Sequence, residues 1–289
     1  MGIDMAAVNG HITPLSEARI SVLDLGFLRG TGAFETLATF GRHPHGVKAH
    51  LDRLQRCCEE LGIAMPFEEK TFRSTLVKLK RASGWDDLRV NVVVSPGDLT
   101  DGVFDSAGPN WVVIARELHT PSPKAYSGGI KVITFPGQRA FPHVKTTAYV
   151  TGKRALEQAK IAGAAEAIYQ DSAGALLEGV TSNFHAIFGT RLVSPARACL
   201  NGLTRGVLRE LALQLELTWD ESDLTLERLK TADEAFITSA AREVLPVVQV
   251  NAITIGSGAV GPWARKLLAL HHARAVAEAL ADAQAAGEC

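Results

Sequence analysis

In the segment VKAHLDRLQRCCEELGI, the apolar residues Val47, Leu51, Leu54, Cys58 and Leu61 fall 4, 3, 4 and 3 positions apart. That spacing puts them on one face of an α-helix, and Gly62 follows as a stop. The segment EEKTFRSTLVKLKRASG repeats the pattern with Phe72, Leu76 and Leu79. Upstream, GAFETLATFGRHPHG reads as a strand, a turn at Gly41–Arg42 and a short return. Downstream, DLRVNVVVSPG and NWVVIARELH are rich in β-branched residues and read as strands. The N-terminal half is therefore expected to be a strand-rich α+β unit carrying two helices.

The stretch RELHTPSPKAYSGG breaks this pattern with two prolines and a pair of glycines. It divides the chain into a small domain (residues 1–118), an interdomain linker (119–129) and a large domain (130–289). The large domain opens with the strand IKVITF and a loop carrying Pro136, Gly137 and Pro142. A helix is expected from about Thr147 to Ala162, with Lys145 at its mouth. EAIYQDSAGALLEGVTSNFHAIFGTRLVSP reads as a meander of short strands turning at DSAG and FGTR. A further helix begins near GLTRGVL, two strands follow within EAFITSAAREVLPVVQVNAITIG, and a last helix starts at Pro262. Its end, ALADAQAAGEC, is expected to fray.

The 289 residues, 46% hydrophobic and 21% charged, are long for one core and comfortable for two. A formal net charge of −1 gives no global basic field for nucleic acid or an anionic membrane, so neither is expected as a partner. No apolar run approaches the roughly 18–20 residues of a transmembrane helix, and MGIDMAAVNGHITPL lacks the basic and apolar regions of a signal peptide. Cys57, Cys58, Cys199 and Cys289 include no C-x-x-C pair, so reduced thiols in a cytoplasmic protein are expected.

Several residues carry candidate chemistry. A lysine with a deprotonated amine forms a Schiff base with a carbonyl; Lys145 is either such a group or a solvated lysine at a helix start. Glu178, flanked by apolar residues in LLEGVTSNF, reads as a partly buried carboxylate needing a cationic partner. That partner is a protonated pyridine nitrogen or a nearby arginine. In CLNGLTRGVL, Gly202 allows close backbone approach, and Leu203 and Thr204 would offer the first N–H donors of a helix. The arrangement suits either phosphate binding or an ordinary helix cap. The turn TSAARE adds a second set of small-residue donors, and Arg53, off the Val47/Leu51/Leu54 stripe, suits solvent or a phosphate.

Together, DLGFLRGTGAFETL, HLDRL, VKTTAY, LLEGVTSNF, LNGLTRGVL and TSAAREVLPV resemble, in order and approximate spacing, the class IV aminotransferases, pyridoxal-phosphate enzymes of fold type IV. The resemblance runs nearly end to end. It implies an α+β fold, with a small α/β domain and a larger strand-rich pseudo-barrel domain with helices. It implies pyridoxal 5'-phosphate as cofactor, an amino acid and a 2-oxo acid as substrates, and a homodimer with shared active sites. Under it, Lys145 is the Schiff-base lysine and proton carrier, and Glu178 pairs with the pyridine nitrogen. Arg53, the Leu203 and Thr204 amides and the Ser239–Ala240 turn hold the phosphate, and Asn183 belongs to the same cofactor set. Tyr149 matches a tyrosine that bonds the cofactor's phenolic oxygen, although here it stands one residue closer to the lysine.

The family divides by how it holds carboxylates. Where branched-chain enzymes typically have tyrosine, this chain has Arg29, and the arginine usual in D-amino-acid enzymes is missing from SPGD. Arg89 lies earlier, and strand alternation puts it with Asn91 and Val93 on one face, a pocket wall or a solvated outer face. Arg29 and Arg89 both suit carboxylates. A D-amino-acid transaminase with relocated arginines is therefore expected. The alternatives are a branched-chain L-amino-acid aminotransferase, an aminodeoxychorismate lyase and, from another class, a non-catalytic pyridoxal-phosphate-binding protein.

Overall fold

The computed structural model describes residues 2–287, which divide into two units. The first takes the chain to His119, the short segment Val144–Ala148 and the chain from Ala275. The second takes Thr120–His143 and Tyr149–Arg274. Cys289 lies outside the described residues; Cys57, Cys58 and Cys199 are buried free thiols.

The first unit begins with strands β1 (Met5–Val8) and β2 (His11–Pro14), helix α1 (Leu25–Arg29), and strands β3 (Ala33–Phe40) and β4 (His43–Pro44). Helices α2 (Val47–Glu60) and α3 (Glu69–Ser83) and strands β5 (Leu88–Ser95) and β6 (Asn110–Glu117) follow. The strands form one antiparallel sheet in the order β2-β1-β6-β5-β3-β4. Leu54, Phe72 and Leu79, from the two apolar helical stripes, share a core with Leu37, Val90 and Val92 of the sheet. Alternation along β5 leaves Arg89 exposed and Asn91 and Val93 half-buried on the other face.

The segment around Lys145 is extended, where a helix was expected from Thr147. Phe34 N–H donates to the Lys145 carbonyl (2.9 Å), Thr147 N–H donates to the Gly32 carbonyl (2.8 Å), and Thr146 forms a bridge with Ala33. The β-branched pair Thr146–Thr147 favours this extended conformation. The segment thus lies along β3, with Lys145 five residues ahead of the following helix.

The second unit opens with α4 (Pro123–Gly128), inside the stretch expected to be a linker. Pro123 stands in its first turn, and the Ser122 side chain accepts from Ala125 N–H. Next come β7 (Ile130–Pro136), α5 (Val150–Ile161), β8 (Glu166–Gln170), β9 (Ala175–Gly179), β10 (Ser182–Phe188) and β11 (Arg191–Val193). Then come α6 (Leu203–Gln214), β12 (Thr218–Asp220), β13 (Leu224–Thr225), α7 (Leu226–Leu229), β14 (Glu234–Ser239), β15 (Glu243–Val250), β16 (Ile253–Thr254) and α8 (Pro262–Ala285). Strands β10-β14-β15-β7-β8-β9 are consecutive neighbours, and β9 pairs back onto β10, which closes the ring. β7 runs parallel to β8 and β15; the remaining ring pairs are antiparallel. This is the barrel-like domain of an α+β fold.

Helix α8 persists to Ala285 where fraying was expected. Within the first unit its Ala275 and Ala279 pack on Ala38 and Phe40, and Arg73 donates to Asp282 (3.0 Å), so the last turns are held from the side. Among the described residues no helix is long and apolar enough to cross a membrane.

Leu54 is fully buried one residue after Arg53. Leu54→Ala is expected to cost about 2–5 kcal/mol through lost burial and the cavity left behind, measured as a shift of the urea midpoint with an unchanged slope.

Candidate active site

In the first unit, β3 presents candidate groups on both faces. Glu35 points into the core and is 0% exposed. Arg53 and His50 lie three residues apart on α2, so both reach it. Arg53 Nε donates to Glu35 Oε1 (2.6 Å) and its terminal nitrogen to Oε2 (2.8 Å), while His50 Nδ1 lies 2.8 Å from Oε2. Arg53, off the apolar stripe, is only 7% exposed; it is drawn inward by this carboxylate. Burial alone would raise the Glu35 carboxyl, but the Arg53 charge and then the His50 hydrogen bond outweigh it and hold it far below the usual range. Burial lowers His50 despite its bond to Glu35, which keeps the ring neutral and Nδ1–H a donor.

The next residue, Phe34, points to the opposite face. The Lys145 Nζ lies 4.4 Å from its ring centroid, a cation–π distance. The Lys145 backbone N–H donates to Cys57 Sγ (3.3 Å), which ties the segment to α2. Register places Phe34 opposite Val93, Thr36 opposite Asn91 and Ala38 opposite Arg89. Asn91 Nδ2 donates to Thr36 Oγ1 (2.7 Å). Lys145 and Arg89 therefore share a sheet face, about 13 Å apart along β3 at the strand's rise per residue. Arg116 stands directly opposite Arg89 on β6, and both line an open groove of about 760 Å³ with Trp85 and His119. Arg29 ends α1 exposed, its guanidinium donating to the Leu28 carbonyl (3.2 Å). Thr147 Oγ1 donates to the adjoining Gly30 carbonyl (3.0 Å), so Arg29 and Lys145 flank one local tie.

In the second unit, the β9–β10 hairpin sets Glu178 opposite Asn183. Glu178 is 4% exposed. Arg139 Nε donates to its Oε1 and Leu200 N–H to its Oε2, each at 2.9 Å. Arg139 also donates to the Pro142 carbonyl. Asn183 Nδ2 donates to the Leu200 carbonyl (2.8 Å), so Leu200 is tied through both backbone groups just before α6. A Cβ on Gly202 would lie 1.9 Å from Asn183 Oδ1, so only glycine permits this approach. Gly202 caps α6 without a side-chain bond, which leaves the Leu203 and Thr204 end of the helix to an anion.

Asn183 also registers with Thr238, one residue before Ser239 and the Ser239–Ala240 turn. Tyr149, the residue before α5, packs with Tyr169 and Val180. Burial pushes Tyr169 up to about 12, so its hydroxyl is a neutral donor at ordinary pH.

The structure thus gathers Lys145, Arg53, Arg29 and Arg89 in the first unit and Tyr149, Glu178, Asn183, Leu203, Thr204, Ser239 and Ala240 in the second. Within the second unit the buried Glu178 carboxylate and the uncapped start of α6 suit a ring nitrogen and a phosphate, and within the first Lys145 offers an amine; these are the groups pyridoxal phosphate requires. Sequence reading missed Glu35, His50, Arg139 and Arg116. Glu35 had a signal, since alternation with Ala33 and Leu37 assigns it to the core face, where a carboxylate demands a partner. Arg139 sits in the irregular loop PGQRAFP, where no periodicity reports direction.

A family model of the class IV amino-transferases matches residues 32–250. The chain is 29% identical over 265 residues to the D-alanine aminotransferase of Bacillus licheniformis, covering 90% of this chain and 93% of that protein. It is 29% identical over 277 residues to the branched-chain-amino-acid aminotransferase of Pseudomonas aeruginosa, covering 90% and 89%. The fold superposes with a TM-score of 0.88 on the T.th. branched-chain amino acid aminotransferase solved with pyridoxamine 5'-phosphate, at 25% identity and 96% coverage of each chain.

Glu35→Gln removes the charge that neutralises Arg53 and is expected to cost about 3–5 kcal/mol, the penalty for breaking a buried ion pair. The folded carboxyl is depressed, so its contribution is complete above the unfolded value of about 4.3 and is lost as pH falls below it. Urea melts across pH 7 to 3 should therefore show a steeper acid loss for the native protein than for Glu35→Gln.

Proposed function

The chain belongs to the class IV aminotransferases, and from that premise we propose that it moves an amino group from a D-amino acid to a 2-oxo acid. The observation that carries this reading is the placement of Arg89 on the sheet face of Phe34 and the Lys145 amine. A carboxylate entering such a face loses water and needs a charged donor. Arginine supplies a planar pair of N–H groups. Arg29, beside the Thr147–Gly30 tie, is the second such donor. With Arg29 where branched-chain enzymes typically have a tyrosine, and Arg89 as a second cation, the pocket favours anionic ends over purely aliphatic ones.

Pyridoxal phosphate, the cofactor of the family, supplies an aldehyde for the amino group and a ring that draws electrons from the substrate's α-carbon. The chain's own groups do the rest. Lys145 supplies the anchoring amine and carries the proton to and from the α-carbon. Glu178, held by Arg139 and the Leu200 amide, would hold the proton on the ring nitrogen. Tyr149 would donate to the phenolic oxygen, and Asn183 braces the loop before α6. Arg53, the Leu203 and Thr204 amides and the Ser239–Ala240 turn would take the phosphate.

The protein acts as a homodimer in this reading. Ile20, Val22, Leu23, Phe27, Val103 and Phe104 support it, since each is about half exposed or more, and clustered apolar surface favours a partner.

Borohydride reduction of the holoprotein followed by peptide mapping should place a phosphopyridoxyl mass on Lys145; a label on another lysine removes the assignment. With D-alanine or D-glutamate as donor, 2-oxo acid formation is expected. Arg89→Leu should raise KM about ten- to a hundredfold, the loss of one charge-assisted contact, with the cofactor absorbance intact. Turnover of L-branched-chain donors alone would overturn the D-specific reading and leave the family assignment standing.

A further inference from the structure

The hairpin between β14 and β15 pairs Ser239 with Glu243 and turns through Ala240, Ala241 and Arg242. Glu243 leaves the turn with φ +52°. That left-handed conformation favours glycine and strains a residue with a Cβ, so it persists only where the surroundings hold it.

Here the holding groups are on α8. His271 Nδ1 lies 3.0 Å from Glu243 Oε2, and His272 Nδ1 lies 3.0 Å from Oε1. An ionised carboxylate only accepts, so both Nδ1 atoms carry hydrogen. His271 is buried, whereas the His272 side chain is 58% exposed. The preceding residue fixes the turn from the other side. Arg242 Nε donates to Ser239 Oγ (3.1 Å), and its terminal nitrogens donate to Glu166 Oε2 (3.2 Å) and the Thr181 carbonyl (2.9 Å). Tyr126 donates its hydroxyl to the Arg242 carbonyl (3.2 Å). The side chains of Arg242 and Glu243 are thus spent on anchoring. Ala240 and Ala241 bring only methyl groups, so between Ser239 and Arg242 the turn offers backbone N–H donors; Ser239 still has its hydroxyl hydrogen to give.

We infer that Glu243 is a positioning residue: gripped by His271 and His272, it holds the Ser239–Arg242 turn in the shape that receives the cofactor's phosphate. The inference rests on the reading that this turn is part of the phosphate site. Glu243 touches no reacting atom; it acts through the turn's amides. A glycine would adopt the same backbone without strain but without the grip. A glutamate in this strained conformation is explained by what its carboxylate fastens.

The experiment compares pyridoxal phosphate with pyridoxal, which lacks the phosphate, as ligands for the full-length protein stripped of cofactor, by fluorescence titration. Glu243→Gly is expected to melt within a few degrees of the native protein and to bind pyridoxal equally well. It should bind pyridoxal phosphate about tenfold more weakly, the loss of one or two hydrogen bonds to a charged group. His272→Ala, at a largely exposed side chain, should shift in the same direction by less. Equal weakening toward both ligands, or unchanged affinity for pyridoxal phosphate, overturns the inference. Ser239→Ala separates the two levels. If it weakens the phosphate form selectively while Glu243→Gly does not, the positioning role falls alone. If neither variant weakens the phosphate form, the turn is not a phosphate site and both fall; if only Glu243→Gly weakens it, the turn acts through its amides and both stand.

Discussion

A carboxylate removed wholly from water must be matched by a cation, and in the first unit that demand is met at Glu35. Its two oxygens take the Arg53 guanidinium through two bonds and the His50 ring through a third. An uncompensated charge there would cost several kcal/mol, so the pairing, together with the apolar packing of α2, fixes the rotation of that helix against β3. The consequences spread from β3. With Glu35 inward, Phe34 must face the other way, and the extended segment along β3 lays the Lys145 amine over that ring. One strand thereby positions a candidate phosphate ligand and the candidate reactive amine.

The second unit solves a similar problem with a closed sheet. Ring closure through β9 and β10 leaves no open edge between them and sets Glu178 beside Asn183. Both then seize Leu200, one by its N–H and the other by its carbonyl. A loop held at both backbone groups has little freedom, so the start of α6 is presented in a single arrangement. Buried carboxylates recur in this unit: Glu166 holds Arg242, Glu243 holds two histidines, and Glu234 accepts from the Trp263 and Ala264 amides at the start of α8. Functional groups supported in this way are held to the small tolerances that catalysis requires.

Similar identity to proteins named for D-alanine and for branched-chain amino acids has a physical meaning. The scaffold and the cofactor machinery are common property, and selectivity is left to a few side chains. In the proposed reading, Arg29 and Arg89 are among those side chains here.

Elements with a strong period were legible in the sequence. The 4-3-4-3 stripe of α2, the alternation of β5 and the turns of the β8–β11 meander depend on local patterning, and the structure reproduces them. Motif residues such as Lys145, Glu178 and Gly202 could be named for the same reason, since their neighbours are close in sequence. What the chain does around Lys145 was not legible: the segment lies along β3 because, over a hundred residues earlier, the Phe34 N–H donates to the Lys145 carbonyl and the Gly32 carbonyl accepts from the Thr147 N–H. The burial of Arg53, the Arg139–Glu178 pair, the persistence of α8 to Ala285 and the grip on Glu243 share that character. Each joins groups distant in sequence, and the free energy that decides it, the pairing of a desolvated charge or the side support of a helix end, exists only once the fold has brought the partners together.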